Sequence, residues 1–179
     1  SPKGTTYAAL QVLMAEDGFH PGPAIYALWA EQLAGMIANE IVPQLPATDE
    51  RRLLVVGALA DVVEDQFKRL FAELGIGPVD FLPPRRSTAL PPVGPNTLLL
   101  FAQPFLGDTL TALQARGATR LAAPFPLGAE GTAEWLRAAF TAWGGEPTRF
   151  AKVVGAGRER AARALARWRL ELHGQRLFF

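Results

Sequence analysis

The sequence contains no cysteine. That absence removes disulfides, thiolate nucleophiles and the thiolate ligands of zinc and iron–sulfur centres. Histidine is nearly as scarce: the two histidines, His20 and His173, lie far apart, and neither stands with a second histidine at helix-face spacing. No metal site is expected. A dominant charge is lacking as well, since 18 Lys and Arg stand against 17 Asp and Glu. The near-neutral balance gives no overall attraction to nucleic acid or anionic membrane, so an electrostatic partner would need a local patch. Long apolar runs are also missing. The most apolar stretch near the N-terminus, residues 24–42, is interrupted by Glu31, Gln32, Asn39 and Glu40, which is costly for a membrane span. The opening residues carry no basic segment followed by an apolar core and a small-residue cleavage site. A chain of the cytoplasm or an organelle interior is expected.

What is present is enough apolar residues, 49% of 179, to bury one sizeable core with an appendage. Residues 1–46 read as a helical N-terminal segment: helices at 5–16 and 23–41, parted by a Gly/Pro-rich breaker at 18–23. In the second helix Ile25, Leu28, Trp29, Leu33, Met36, Ile37 and Ile41 recur at helical spacing, a stripe that either packs on the rest of the chain or meets a partner. From Leu53 short apolar runs alternate with amphipathic helices. That alternation predicts an α/β domain over 47–179, a Rossmann-like parallel sheet with helices on both faces. Strands are expected at 53–56, 78–82, 97–102 and 120–123, with helices at 62–74, 109–116, 132–143 and about 157–172. Asp61 with Glu64 has the spacing of a capping box, and Asp108 is placed to cap the next helix. Residues 176–179 read as another strand. Because a domain seldom stops on the last residue of a buried strand, the segment is expected to be a truncated or excised piece of something longer.

In open parallel sheets ligands bind beyond the carboxyl ends of the strands, which directs attention to the loops at Gly57, Pro83, Gln103 and Pro124. The turn at 57–61 lacks the second and third glycines of a dinucleotide fingerprint, so a nicotinamide or flavin is not expected. Arg85 and Arg86, between a diproline and Ser87, are candidates for holding a ligand's carboxylate or phosphate, or are simply solvated. Gln103, Pro104 and Phe105, then Phe125, Pro126 and Gly128, form stiff apolar loops. They suit the flat face of a large aromatic ligand or the dry wall around a cofactor, and tight loop packing is the alternative. No Ser-His-Asp, paired-carboxylate or glycine-rich phosphate constellation has usable context. No catalytic residue is assigned. Arg158, Arg160, Arg163, Arg167 and Arg169 around an apolar side of Leu165, Trp168 and Leu172 read as a solvated basic face rather than a nucleic-acid surface.

Several ordered blocks carry a resemblance: LLVVGALADVVEDQ at 53–66, LPPRRST at 82–88, VGPNT at 93–97, QPFL at 103–106 and APFPLGAEGT at 123–132. They resemble the N-subunit family of light-independent (dark-operative) protochlorophyllide reductases, with the likeness covering about 42–179 and not 1–41. The resemblance implies a subunit of a nitrogenase-like enzyme of chlorophyll or bacteriochlorophyll synthesis, in the cytoplasm or chloroplast stroma. It implies a B subunit as partner in a heterotetramer and an ATP-dependent iron–sulfur protein as electron donor. It further implies a [4Fe-4S] cluster at the N–B interface and reduction of the D-ring double bond of protochlorophyllide. The family draws cluster ligands from cysteines of an N-terminal domain that this chain does not match, and its third domain would follow Phe179. The expectation is therefore a central domain with no cofactor of its own and no activity alone, its wall at the strand ends facing substrate through Arg85, Arg86, Gln103, Pro104, Phe105, Phe125, Pro126 and Gly128. The other function classes left open are a non-catalytic module binding a small ligand at the same loops and a scaffold piece.

Overall fold

The computed structural model describes residues 35–174 together with Ile25, Tyr26, Trp29 and Gln32, the side chains of residues 167, 169, 170 and 172 excepted. β1 (Arg52–Val56) is buried along its whole length. The unbroken apolar run after Arg52, residues 53–56, belongs to a strand covered on both faces. α1 (Asp61–Leu74) follows, burying Phe67, Phe71 and Leu74 at helical spacing, and closes on Gly75 in the left-handed conformation. Next come β2 (Val79–Leu82), β3 (Thr97–Phe101) and α2 (Gly107–Ala115). The last elements are β4 (Thr119–Arg120), α3 (Gly128–Ala142) and α4 (Pro147–Leu172).

The strands pair in parallel in the order β2-β1-β3-β4. The chain leaves β1 through α1 to one side, then crosses back past β1 through residues 83–96 to β3. The connection thus reverses between β1 and β3, the place where an open parallel sheet leaves a crevice at its carboxyl edge. The alternation of side chains along β1 divides the core. Leu53 and Val55 pack with Phe67, Phe71, Trp135, Phe140 and Phe150 of α1, α3 and α4. Leu54 and Val56 pack on the opposite face with Leu99, Leu113 of α2, and Ile37, Val42 and Leu45. The expected Rossmann-like α/β architecture with helices on both faces is the one observed.

Trp135 anchors the first layer. It is fully buried, its ring centroid lies 4.7 Å from that of Phe67 and 5.7 Å from that of Phe71, and its indole N–H donates to the Phe101 carbonyl at 2.7 Å. An amphipathic ring thereby fills the gap between helix and sheet while its one polar atom is satisfied. On the other face Arg116 fastens the segment before the sheet. Its guanidinium donates to the carbonyls of Val42 at 3.0 Å, Pro43 at 3.3 Å and Leu45 at 2.6 Å. The C-terminal end of the expected N-terminal segment thus lies against the sheet core, through a π-helical turn at Ile37–Ile41 and a 3-10 turn at Val42–Gln44.

Local expectations differ from the structure at several ends. Helix α1 starts at Asp61 with Ala60 as its cap residue and no side-chain cap, because Glu64 turns inward to an arginine instead of back to the helix start. Helix α2 starts at Gly107, capped by Leu106 without a side-chain bond, so Asp108 does not cap it. β4 is two residues long, at the sheet edge, where pairing ends after the Leu121 N–H donates to the Leu99 carbonyl. Helix α3 begins at Gly128, four residues before the expected start at 132, and α4 begins with Pro147 at its first turn, well ahead of 157. Of the expected apolar stripe, Ile37 is buried while Trp29 and Met36 are about half exposed; Leu28 and Leu33 lie outside the described residues. The expected helix at 5–16 and strand at 176–179 also lie outside them.

Candidate functional site

The carboxyl edge of the sheet is built from the turns after β1, β2 and β3 and from the loop at 121–127. β1 ends in Gly57 at φ 141°, a conformation that side chains rarely adopt. A Cβ there would meet Ala102 Cβ at 3.1 Å and Gln103 Oε1 at 3.3 Å. Glycine thus allows the ends of β1 and β3 to approach across the crevice. Gln103 then closes it. Its Oε1 accepts from the Ala58 N–H at 3.1 Å and its Nε2 donates to the Ala58 carbonyl at 3.2 Å. The backbone amide that a phosphate would use is therefore already occupied. Asp61 and Glu64 in the first turn of α1 oppose an anion at that helix start as well.

Arg85, on the loop after β2, faces inward to α1. Its Nε lies 2.6 Å from Glu64 Oε2 and 3.4 Å from Asp61 Oδ1, and its Nη2 lies 2.7 Å from Asp65 Oδ1 and donates to the Asp61 carbonyl at 2.5 Å. Glu64, with its side chain 5% exposed, also has Lys68 Nζ at 3.8 Å. The hydrogen bond to Asp65 leads the interactions that hold the Arg85 guanidinium proton above its ordinary affinity. Arg85 consequently clamps the Pro-Pro loop onto α1 rather than pointing at open space. Arg86 is exposed and forms no ion pair among the described residues.

Between the β1 and β3 ends lies a small cavity of about 120 Å³. Gly57, Pro83, Gln103, Phe105 and Thr109 are on its wall, with Ile37 closing one side. Phe105 is 60% exposed at the rim. Of the residues expected to face a ligand, the structure brings Gln103 and Phe105 together here. Pro104 is exposed on the same loop. Phe125 is half-buried against the second core layer, Pro126 is half-buried and Gly128 is exposed at φ 67°. Those three, with Arg85 and Arg86, are not on the cavity wall. Ile37, Leu106 and Thr109 were not expected there; Ile37 and Thr109 read as ordinary helix residues and Leu106 as the residue leading into α2, and their meeting depends on how α2 lies on the sheet.

Among the described residues no His, Asp, Glu or Lys lines this cavity, so its chemistry is that of holding an apolar group, not of moving a proton. A larger groove of about 660 Å³ runs between α1, α3 and α4, away from the strand ends. Its polar lining is made of exposed groups, Gln66, Arg69, Glu73, Lys152, Arg158 and Arg160. The strand-end edge is therefore the better candidate despite its smaller volume. The described arginines of the basic face, Arg158, Arg160 and Arg163, are exposed, and Arg163 lies 3.9 Å from Glu159. No helix is long and apolar enough to cross a membrane among the described residues. Nor do three or more His, Asp or Glu side chains gather in a way that would hold a metal ion among them. With no cysteine in the chain, the residues present do not fit an iron–sulfur cluster.

No family model matches the sequence. Individual relatives do. Over 141 residues, 78% of the chain, it is 65% identical to the light-independent protochlorophyllide reductase subunit N of Rhodopseudomonas palustris strain BisB5. It is 60% identical over 139 residues to the same-named subunit of Rubrivivax gelatinosus and 63% over 142 residues to that of Rhodospirillum rubrum. The chain spans about a third of the length of these curated relatives. The resemblance read from the motif blocks is thus a resemblance to subunit N over most of the chain.

Proposed function

We propose, from the likeness to subunit N, that this chain is the central α/β domain of such a subunit and that its strand-end edge is one wall of a chamber for protochlorophyllide. The observation that carries the reading is the character of that edge in a segment 65% identical to subunit N. It offers Phe105 to solvent at the rim of a largely apolar crevice and Leu127 on the loop before α3, while Arg85 is engaged with Glu64 and Asp65. A flat macrocycle gains from such an apolar, pre-formed surface without needing a charge. The reading gives the domain a holding role in an oxidoreductase of chlorophyll synthesis. Electron delivery would come from a [4Fe-4S] cluster and an ATP-dependent iron–sulfur protein, and the remaining walls from a B subunit. With no cysteine to hold the cluster, the chain by itself would bind and not reduce.

The test is a titration of protochlorophyllide into the chain, alone and with the purified B subunit, read by the ligand's absorption and fluorescence. Saturable binding is expected, weakened about three- to tenfold by Phe105→Ala through loss of one aromatic contact. Absence of saturable binding in both conditions would sink the reading and favour a scaffold role.

A further inference from the structure

The groove of about 660 Å³ between α1, α3 and α4 gathers charge that its surroundings do not balance. Arg69 of α1 and Lys152, Arg158 and Arg160 of α4 line it, all exposed, against Glu73 as the single carboxylate among the described residues. Four of the 18 basic side chains and one of the 17 acidic ones thus meet at one groove of a near-neutral chain. None of the four cations forms an ion pair among the described residues, and Arg69 donates only to Gln66 on its own helix. Like charges around a cleft with apolar walls focus a field that draws in anions. Between the charges the groove is apolar. Ala133, Leu136 and Val154 are buried in its floor, and Ala156, Gly157 and Ala161 leave room for a backbone to approach α4 closely. The occupant that matches is anionic at its margins and apolar along its centre.

Length and walls narrow it further. Residues 152–161 of α4 follow the groove, about 14 Å at the helical rise per residue, so two to three turns of a helix fit. Apolar anchors at i, i+3 or i+4, and i+7 would enter it, as in other helix-in-groove contacts. Acidic residues beside those anchors would meet Arg69 on one wall and Lys152, Arg158 and Arg160 on the other. A free segment that short is marginal as a helix and buries less than a separate partner needs for a stable complex. The same segment tethered in one polypeptide is present at an effective concentration on the order of millimolar, which makes a small contact sufficient. This chain spans about a third of the length of its subunit N relatives, so most of such a polypeptide lies outside the matched part and can supply the segment.

We propose that this groove is the docking site of a short acidic amphipathic helix contributed by the part of a subunit N polypeptide outside the matched third. The inference rests on the likeness to subunit N and not on what the strand-end edge binds. It puts a contact with the rest of the subunit on the helical face, away from the strand ends, and leaves that edge free for a ligand.

The test has two arms. In the first, the chain is titrated with a synthetic peptide of about 14 residues carrying Leu at i, i+3 and i+7 with Glu between, and with a scrambled peptide of the same composition. Saturable binding of the patterned peptide is expected below about 1 mM, with the scrambled one at least about tenfold weaker. Arg158→Glu combined with Arg160→Glu, at two exposed positions, should weaken the patterned peptide about tenfold without changing the circular dichroism of the chain. No saturable binding, or equal binding by the scrambled peptide or the charge-reversed chain, would overturn the groove. In the second arm, residues 47–179 replace the matched third of the 65% identical subunit N, and acylation of Lys152 is followed by mass spectrometry. Lys152 should react at least about tenfold more slowly in the grafted subunit than in the chain, and the two arginine reversals should restore its reactivity. They should also lower the melting temperature of the grafted subunit by several degrees and leave that of the chain unchanged. Equal Lys152 reactivity in chain and subunit would overturn the proposal, since the helix would then belong to a separate protein or be absent. If the grafted subunit does not fold, the peptide arm still decides. Failure of either arm leaves the strand-end reading standing, because neither measures macrocycle binding.

Discussion

Replacing Gly57 by alanine tests whether the close approach of β1 and β3 sets the shape of the strand-end edge. Two costs combine. The backbone at φ 141° lies where an L side chain is strained, at about 1–3 kcal/mol. The new methyl also meets Ala102 Cβ at 3.1 Å and Gln103 Oε1 at 3.3 Å. The Ala102 contact is carried by the β3 end and cannot swing aside, whereas Gln103 can, at the loss of its two bonds to Ala58. Together these give about 2–4 kcal/mol, a large part of the total of about 5–15 kcal/mol for a domain. At roughly 2–4 °C per kcal/mol for a chain of this size, the melting temperature should fall by about 5–15 °C. Urea and thermal unfolding followed by circular dichroism measure it. Gly155→Ala is the control: it lies inside α4 with nothing within 4 Å of its built Cβ, and should stabilise by about 0.5–1 kcal/mol. A Gly57→Ala loss below about 1 kcal/mol would refute the close-approach argument. The pair Gly57→Ala with Gln103→Ala should be less costly than the sum of the two, because removing the amide relieves one of the two contacts.

Four further substitutions test other contacts of the fold. Arg85→Met leaves the buried Glu64 carboxylate with only Lys68 nearby and should lower the urea midpoint, by less than the loss of a fully buried pair would because Asp61 and Asp65 are exposed; Arg86→Ala should change stability by less than about 0.5 kcal/mol in the same denaturation assay. Trp135→Phe removes the donor to the Phe101 carbonyl and leaves a gap beside Phe67, so about 1–3 kcal/mol should be lost, with a weakened near-ultraviolet signal. Asp80 has its carboxyl pushed above the ordinary value by burial, which outweighs the opposing Arg52 guanidinium 2.6 Å away; the folded chain therefore holds that proton more tightly than the unfolded chain, and stability should decline as pH rises from below 3.8 through the raised folded value. Asp80→Asn should flatten that part of a stability-against-pH curve, and an unchanged curve would count against the assignment.

How far the site could be read beforehand varies by residue. The strand-end location followed from the α/β alternation, since parallel strands place their carboxyl ends on one edge whatever the side chains are. Gln103 and Phe105 were visible because a polar and an aromatic residue flank a proline directly after an apolar run. Arg85 was visible as a charged residue in a stiff loop, but its direction was not. Glu64, read as half of a capping box, is the partner that draws it inward, and a contact 21 residues apart has no local signature. Thr109 gave no signal, because a threonine near a helix start is ordinary until the sheet seals its hydroxyl.

The sequence by itself determined the fold class, the likeness to subunit N and the lack of cysteine, because these depend on residue type, period and order. Helix starts, the length of β4 and the engagement of Arg85 depended on competition between local caps and distant partners, which only the assembled sheet decides. The cavity and the burial of the unpaired Thr109 hydroxyl belong wholly to the tertiary structure. They exist because α2 and the Ile37 turn close over the gap between β1 and β3, and a gap is a property of packing, not of any one residue.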